Sequence, residues 1–362
     1  MKSNTYEKIV CTLFCGFLSV MMICYLFVPK QDFSELEKRY LEEFPEVSLA
    51  NIISGDFGEQ IESYMADHNP ARDFFVGLNA YWDLATGRQN TKEIRLLDGN
   101  RLVEEPVTWN ESNVQKNLRA INAFADSLEQ NVDMMIVPSA GWASGEPYPD
   151  EEYIEQIYAG AGEHIDTIDI TDIFSGNKEY FYKTDHHWTS LGAYMAYEAY
   201  AKHCGQDYKP QEYFNVEEVE GFFGSTYSRS ALWLTPGETL ELWNGNQNLT
   251  VVNGEDDLTH QGVFYRNRLE EADKYTVNLD GNHSIVQITN PDAAGKLLVI
   301  RDSYSNSLGT FLAESYGTVI LVDLRYYKGS VSELCAQEQF DDILICYSIG
   351  NFMTDANIIW LR

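Results

Sequence analysis

The chain has only seven histidines in 362 residues. Two of them stand side by side in "YKTDHHWTSLGAY", Tyr182 to Tyr194, directly behind an aspartate. Asp185-His186-His187-Trp188 fits three roles: a metal site, a catalytic dyad awaiting a serine, or a helix start with packed aromatics. In an extended segment, residues two apart share a face. Asp185 and His187 are then expected on one face, with His186 turned away. An aspartate beside a histidine fixes the ring tautomer and stabilises the imidazolium, while the far nitrogen takes a proton from a serine. Ser303, in "RDSYSN", is the serine best placed for this: it follows an apolar run at a sharp turn into a helix. Backbone N–H groups at the start of that helix are expected to face a developing oxyanion. Arg325 and the Asn351 amide are further candidate donors. Tyr304 completes the set of candidate substrate or oxyanion contacts. His186 and Trp188 read as packing or positioning residues.

These groups need a frame that brings distant segments to one edge. Three continuous apolar runs, "KLLVIRDS" (296–303), "TVILVDLR" (318–325) and "DDILICYS" (341–348), suit parallel strands buried on both faces. The stretches between them can hold crossover helices, giving a β-α-β-α-β series and a doubly wound sheet. Ligands in such sheets sit beyond the carboxyl ends of the strands. Asp302-Ser303-Tyr304, Leu324-Arg325 and Gly350-Asn351 all stand at such ends. Earlier in the chain, 112–130 has helical spacing, "VDMMIVPSAG" reads as a strand, and "HIDTIDITDIF" (164–174) alternates like another. A helix then follows the histidine pair, with Thr189 or Ser190 as its N-cap. The organisation expected is a membrane segment (1–30), a helical stalk or packing region (31–95), a first catalytic part (96–206), a β-rich insertion (207–293) and a second catalytic part (294–362).

Composition narrows the partners. Hydrophobic residues at 44% and charged residues at 22% describe a globular chain. A formal charge of −31 excludes a nucleic-acid partner, which requires a lysine and arginine excess. Ile9 to Val28 contains no charged residue, enough to match a hydrocarbon core of about 30 Å. It lacks an Ala-x-Ala cleavage signal. The expectation is an uncleaved signal anchor, with Lys2 and Lys8 inside and the body extracytoplasmic. Cys11, Cys15 and Cys24 lie in this run. Cys204, Cys335 and Cys346 are widely spaced and form no CxxC, so neither a disulfide framework nor a zinc site is expected. No cofactor is implied.

The blocks "TDHHWTSLGAY", "LLVIRDSYSNSLGTFL", "VDLRYY" and "DDILICYSIGNF" together resemble the DHHW family. That family is related to SGNH hydrolase-like O-acetyltransferases of the alginate AlgJ/AlgX type. "DHNPARDFF" (67–75) and "LDGNHSIVQI" (279–288) resemble its flanking segments. The resemblance implies a circularly permuted, three-layer α/β/α SGNH-like fold in which the Asp-x-His element precedes the serine. It implies Asp185 as acid, His187 as base and Ser303 as nucleophile. It also implies an extracytoplasmic O-acetyltransferase or acetylesterase acting on a polysaccharide, with a membrane-bound O-acyltransferase supplying acetyl groups. The sequence departs from the pattern at three points. Arg301 stands where such hydrolases carry glycine, Arg325 stands near the place of the oxyanion glycine, and Asn351 matches the third block loosely.

Two other functions fit parts of the sequence. A metal-dependent phosphoesterase would use Asp185-His186-His187 as ligands, but needs further Asp or His ligands at strand ends, and no second cluster is visible. A non-catalytic carbohydrate-binding or scaffold protein would use the 23 tyrosines and seven tryptophans as stacking surfaces.

Overall fold

Alternate residues of the apolar strands bury themselves on opposite faces of one sheet. In "KLLVI", Leu297 and Val299 enter one core while Leu298 and Ile300 enter another. The computed structural model describes residues 3–254 and 258–361; Lys2, one of the two lysines expected to orient the first helix, lies outside them. Contacts divide the chain into two units: residues up to Thr91 with Ser228–Leu234, and Lys92–Tyr227 with the chain from Thr235 onward.

The first unit contains helices α1 (Ser3–Phe27), α2 (Asp56–Asp67) and α3 (Arg72–Ala85). Within α1, Thr5–Phe27 is long and apolar enough to cross a membrane, a property that signal sequences share. The "DHNPARDFF" segment has a structural task here. Asp67 accepts hydrogen bonds from the Arg39 guanidinium at 2.5 and 2.9 Å and lies 3.4 Å from Arg72. Arg72 also pairs with Glu37 at 2.9 Å. The returning segment Ser228–Leu234 lays Trp233 over Gly77, where a β-carbon would fall 2.7 Å from the indole. The Trp233 Nε1–H donates to the Asp73 carbonyl at 3.0 Å.

In the second unit, α4 (Glu111–Asp126), β1 (Val132–Val137), α5 (Asp150–Ala159), β2 (Ile165–Ile168) and α6 (Ser190–Cys204) come first. There follow β3 (Asn215–Phe222), β4 (Glu238–Asn244), β5 (Thr250–Asn253), β6 (Thr259–Gln261) and β7 (Ile285–Thr289). The chain closes with β8 (Lys296–Arg301), α7 (Ser305–Leu312), β9 (Thr318–Val322), α8 (Val331–Glu338), β10 (Asp342–Ser348) and α9 (Ile349–Thr354). An eight-stranded sheet runs in the order β6-β5-β7-β9-β8-β10-β1-β2. The stretch β9-β8-β10-β1-β2 is parallel, and β6, β5 and β7 extend it antiparallel. Helices α6 and α7 bury one face, with Tyr194, Tyr197, Leu308 and Phe311 in that core. Helices α4, α5, α8 and α9 bury the other, through Leu118, Ile157, Val331 and Phe352. The result is a three-layer α/β/α domain with a parallel-rich sheet, as expected.

Two details differ from the sequence reading. The alternating run 164–174 is a strand only to Ile168. The Asp169 carboxylate then accepts from the Thr171 N–H at 2.9 Å and its hydroxyl at 2.7 Å, which turns the chain into the short helix Thr171–Phe174. The β-rich segment 207–293 is also partly annexed by the main sheet. Val286 and Ile288 of β7 are fully buried against it, while β3 and β4 pair separately.

Candidate active site

The segment carrying the histidines is not extended but folded back on itself. Phe181 and Trp188 bridge, and the Tyr182 N–H donates to the His187 carbonyl at 3.2 Å. Its base is anchored from three sides. Buried Arg101 donates to the carbonyls of Phe181 and Tyr182 at 3.0 and 2.9 Å. The Leu102 N–H donates to the Lys183 carbonyl at 2.7 Å. Glu238 accepts from the Lys183 N–H at 2.8 Å and from the Thr184 N–H and hydroxyl. Thr189 then caps α6 by accepting from the Gly192 N–H.

In this bend Asp185 and His187 meet by a turn rather than by strand alternation. Asp185 Oδ1 accepts from the His187 N–H at 2.9 Å and lies 2.5 Å from His187 Nδ1. Its Oδ2 accepts from the Ser225 N–H at 2.6 Å. With its proton on Nδ1, the imidazole turns Nε2 to Ser303 Oγ, 2.8 Å away. Burial pushes the Asp185 carboxyl up, but the His187 and His186 rings and the donated hydrogen bonds outweigh it and hold it well below the usual carboxylate range. The structure thus brings Asp185, His187 and Ser303, read separately from the sequence, into one buried hydrogen-bonded series. Gly224 makes the approach possible: a β-carbon there would fall 2.2 Å from Asp185 Cβ.

Ser303 lies in the turn between β8 and α7. Asp302 fixes that turn, with Oδ1 accepting from the Tyr304 N–H at 3.0 Å. Its Oδ2 accepts from the Ser348 N–H, the Ser348 hydroxyl and Asn351 Nδ2, each at 2.8 Å. Asn351 is therefore engaged by Asp302, and Arg325 by Asp323, at 2.9 and 2.6 Å. The helix-start N–H groups are also committed: Tyr304 to Asp302 Oδ1, Ser305 to the Asp302 carbonyl and Asn306 to the Ser303 carbonyl. A turn this tight closes its own bonds, and among the described residues nothing accepts from the Ser303 N–H.

The remaining sequence-predicted residues support the series. Trp188 is fully buried, and its Nε1–H donates to Ser307 Oγ at 2.8 Å and the Tyr304 carbonyl at 3.0 Å. The Tyr304 hydroxyl donates to the His186 carbonyl. His186 does not turn away: its ring lies 3.9 Å from that of His187, and its Nδ1 is 2.6 Å from Ser225 Oγ. Burial and the charge of His187 lower its proton affinity. Arg301 is fully buried and donates to Asn282 at 3.1 Å and Asn306 at 2.7 Å, so the "GNH" segment braces the nucleophile turn from below. Sequence reasoning missed Tyr275, Ser225 and Gly224. Tyr275 stacks on His187 at 3.9 Å and 10°. All three sit in the irregular segment after 207, where no periodicity marks them.

Asp185, His186 and His187 also form a group whose metal-binding atoms lie within 4.8 Å of one another, the one such group among the described residues. Both nitrogens of His187 and Nδ1 of His186 already have partners in Asp185, Ser303 and Ser225.

Residues 152–322 match the model of the DHHW protein family, so the resemblance read from the sequence holds over the segment that carries both the histidine pair and the serine. Among solved structures, the chain is similar to a DHHW family protein from Eubacterium siraeum, with a TM-score of 0.64 at 19% identity, over 75% of this chain and 95% of that one. It is also similar to PatB1 from Bacillus cereus, at 0.63 and 19%, over 74% and 99%. The structure of PatB1 with a sulfonyl adduct aligns at 0.62 and 18%, over 74% and 98%. These likenesses are of fold. No curated protein matches the chain.

Proposed function

We propose that the chain is a serine-dependent O-acetyltransferase or acetylesterase acting outside the cytoplasm on a cell-surface or exported polysaccharide. The observation that carries this reading is the series Ser303–His187–Asp185, at 2.8 and 2.5 Å. His187 Nε2 takes the Ser303 proton as Oγ attacks the acetyl carbonyl. The oxyanion forms beside the Ser303 N–H, while the ionised Asp185 stabilises the imidazolium. The imidazolium returns its proton to the leaving oxygen, and the acetyl group stays on Ser303. His187 then deprotonates a sugar hydroxyl or water, which attacks the acetyl ester and frees the serine. Asn351 acts in this scheme through Asp302, and Arg325 as a fixed positive charge held by Asp323.

The family resemblance supports the polysaccharide acceptor and a membrane-bound O-acyltransferase as acetyl supplier. The apolar α1 supports a signal anchor, and the extracytoplasmic body rests on the lysines expected at its cytoplasmic end. The sulfonyl adduct of PatB1 makes a sulfonyl fluoride the natural probe. Treated with phenylmethanesulfonyl fluoride, the full chain in detergent is expected to carry one sulfonyl group on Ser303 by peptide mass spectrometry. Ser303→Ala and His187→Ala are expected to abolish both labelling and 4-nitrophenyl acetate hydrolysis while remaining folded. Wild-type hydrolysis in either variant would sink the reading.

The clustering of Asp185, His186 and His187 favours one other reading, a metal-dependent phosphoesterase. Stoichiometric metal in the purified protein, with chelator-sensitive phosphoester hydrolysis, would replace the serine reading.

A further inference from the structure

The His187 imidazole is held between flat rings. His186 covers one side at 3.9 Å with a 36° tilt, and Tyr275 stacks at 3.9 Å and only 10°. Tyr304 closes in at 5.0 Å. Tyr275 makes a second connection: its hydroxyl donates to the Ser303 carbonyl at 3.2 Å and pairs with Ser307 Oγ at 3.2 Å. Ser307 in turn accepts from Trp188 of the histidine segment. One buried side chain therefore touches base, nucleophile turn and histidine segment.

We propose that Tyr275 is a positioning residue for the Ser303–His187 pair, holding the imidazole by its face and the serine by its carbonyl. The proposal rests on the acyl-transfer reading above. The ring does two things for the base. It fixes the imidazole plane so that Nε2 stays directed at Ser303, and it offers an aromatic face to the imidazolium that forms during attack. The hydroxyl holds the peptide that carries Oγ. The turn that supplies Tyr275, Lys274–Val277, is itself braced: Asn278 Nδ2 donates to the Tyr275 carbonyl at 3.0 Å, and the Tyr265 N–H to the Val277 carbonyl at 2.8 Å. Segment 207–293 would then supply a wall of the active site rather than a decoration.

The two contributions separate by mutation. Tyr275→Phe removes one hydroxyl of ordinary hydrogen-bond strength and is expected to slow Ser303 sulfonylation and aryl acetate hydrolysis about fivefold. Its His187 ring-proton resonances should stay unchanged, because the stacked ring is kept. Tyr275→Leu also removes the aromatic face and is expected to slow both about 10- to 30-fold. The His187 ring protons, stacked on Tyr275 at 3.9 Å and 10°, should lose their ring-current displacement in this variant, which a structural defect elsewhere would not produce. NMR of the full chain reads that change without any turnover. Absence of labelling in the wild type would defeat the acyl-transfer reading, yet the resonances would still decide the contact between Tyr275 and His187. Wild-type rates and unmoved His187 resonances in Tyr275→Leu would overturn the proposal. Should that variant not fold, unchanged rates in Tyr275→Phe overturn it.

Discussion

Asp302→Asn changes one oxygen to an NH2 group at nearly constant shape, and the hydrogen bonds around that carboxylate set the cost. It accepts four of them, one at Oδ1 from Tyr304 and three at Oδ2 from Ser348 and Asn351. The asparagine will orient its carbonyl toward the three donors, which leaves its NH2 against the Tyr304 N–H. That N–H is buried and orphaned, at a cost of about 1–3 kcal/mol. The three retained bonds lose their charge, a weakening of about 0.5–1 kcal/mol each. The sum is about 2.5–6 kcal/mol, or a fall of roughly 5–20 °C in the melting temperature of a domain this size. The loss should also reach the chemistry, because Tyr304 directly follows the nucleophile. Sulfonylation of Ser303 is expected to slow more than about tenfold, the effect of about 1.4 kcal/mol in a barrier. Melting followed by circular dichroism, together with labelling rates measured below the transition, tests both arms. A variant that melts within about 2 °C of wild type and labels at the same rate would refute the claim that Asp302 fixes the turn.

Gly224→Ala drives a β-carbon to within 2.2 Å of Asp185 Cβ and 2.5 Å of Asp185 Oδ2. It should cost about 1–3 kcal/mol in stability and displace the carboxylate from His187; hydrolysis should fall far more than stability, as kcat measurements on the folded variant will show. His186→Gln should flatten the acid side of the stability curve. The proton affinity of His186 is depressed in the fold, so the folded chain binds fewer protons than the unfolded one, and stability is lost as pH falls below the unfolded value of about 6.5. Asp185, also depressed, adds the same sign of loss only below about pH 3.9. Melting temperatures between pH 7.5 and 5 should therefore drop less in the variant than in wild type.

The fold was largely readable because its central strands are buried on both faces. "LLVI", "VILV" and "ILIC" have nowhere else to go, and a parallel sheet with crossover helices follows from them. The pairing of Asp185 with His187 was readable from side-chain chemistry, although the backbone achieves it by a bend that strand alternation does not describe. The oxyanion donors were not readable, because the hydrogen bonds that consume the Tyr304, Ser305 and Asn306 N–H groups depend on the closure of a single turn. Tyr275 was invisible for a different reason. Its role comes from a ring stacked on a residue 88 positions earlier, in a stretch without periodicity. The short return of Ser228–Leu234 to the first unit has the same origin, since the fit of Trp233 over Gly77 joins residues far apart in the sequence.

That return has a consequence for the order of events in the cell. The first unit is not finished when its own continuous stretch ends at Thr91, because Ser228–Leu234 is still missing. Roughly 140 further residues must emerge first, which at about 5–20 residues per second takes on the order of 7–30 s. Throughout that interval the surface around Gly77 lacks the indole that covers it. The first part of the chain to be made would thus be sealed only after about half of the second unit had been made, and the helix expected to reach the membrane earliest would wait there beside an incomplete neighbour.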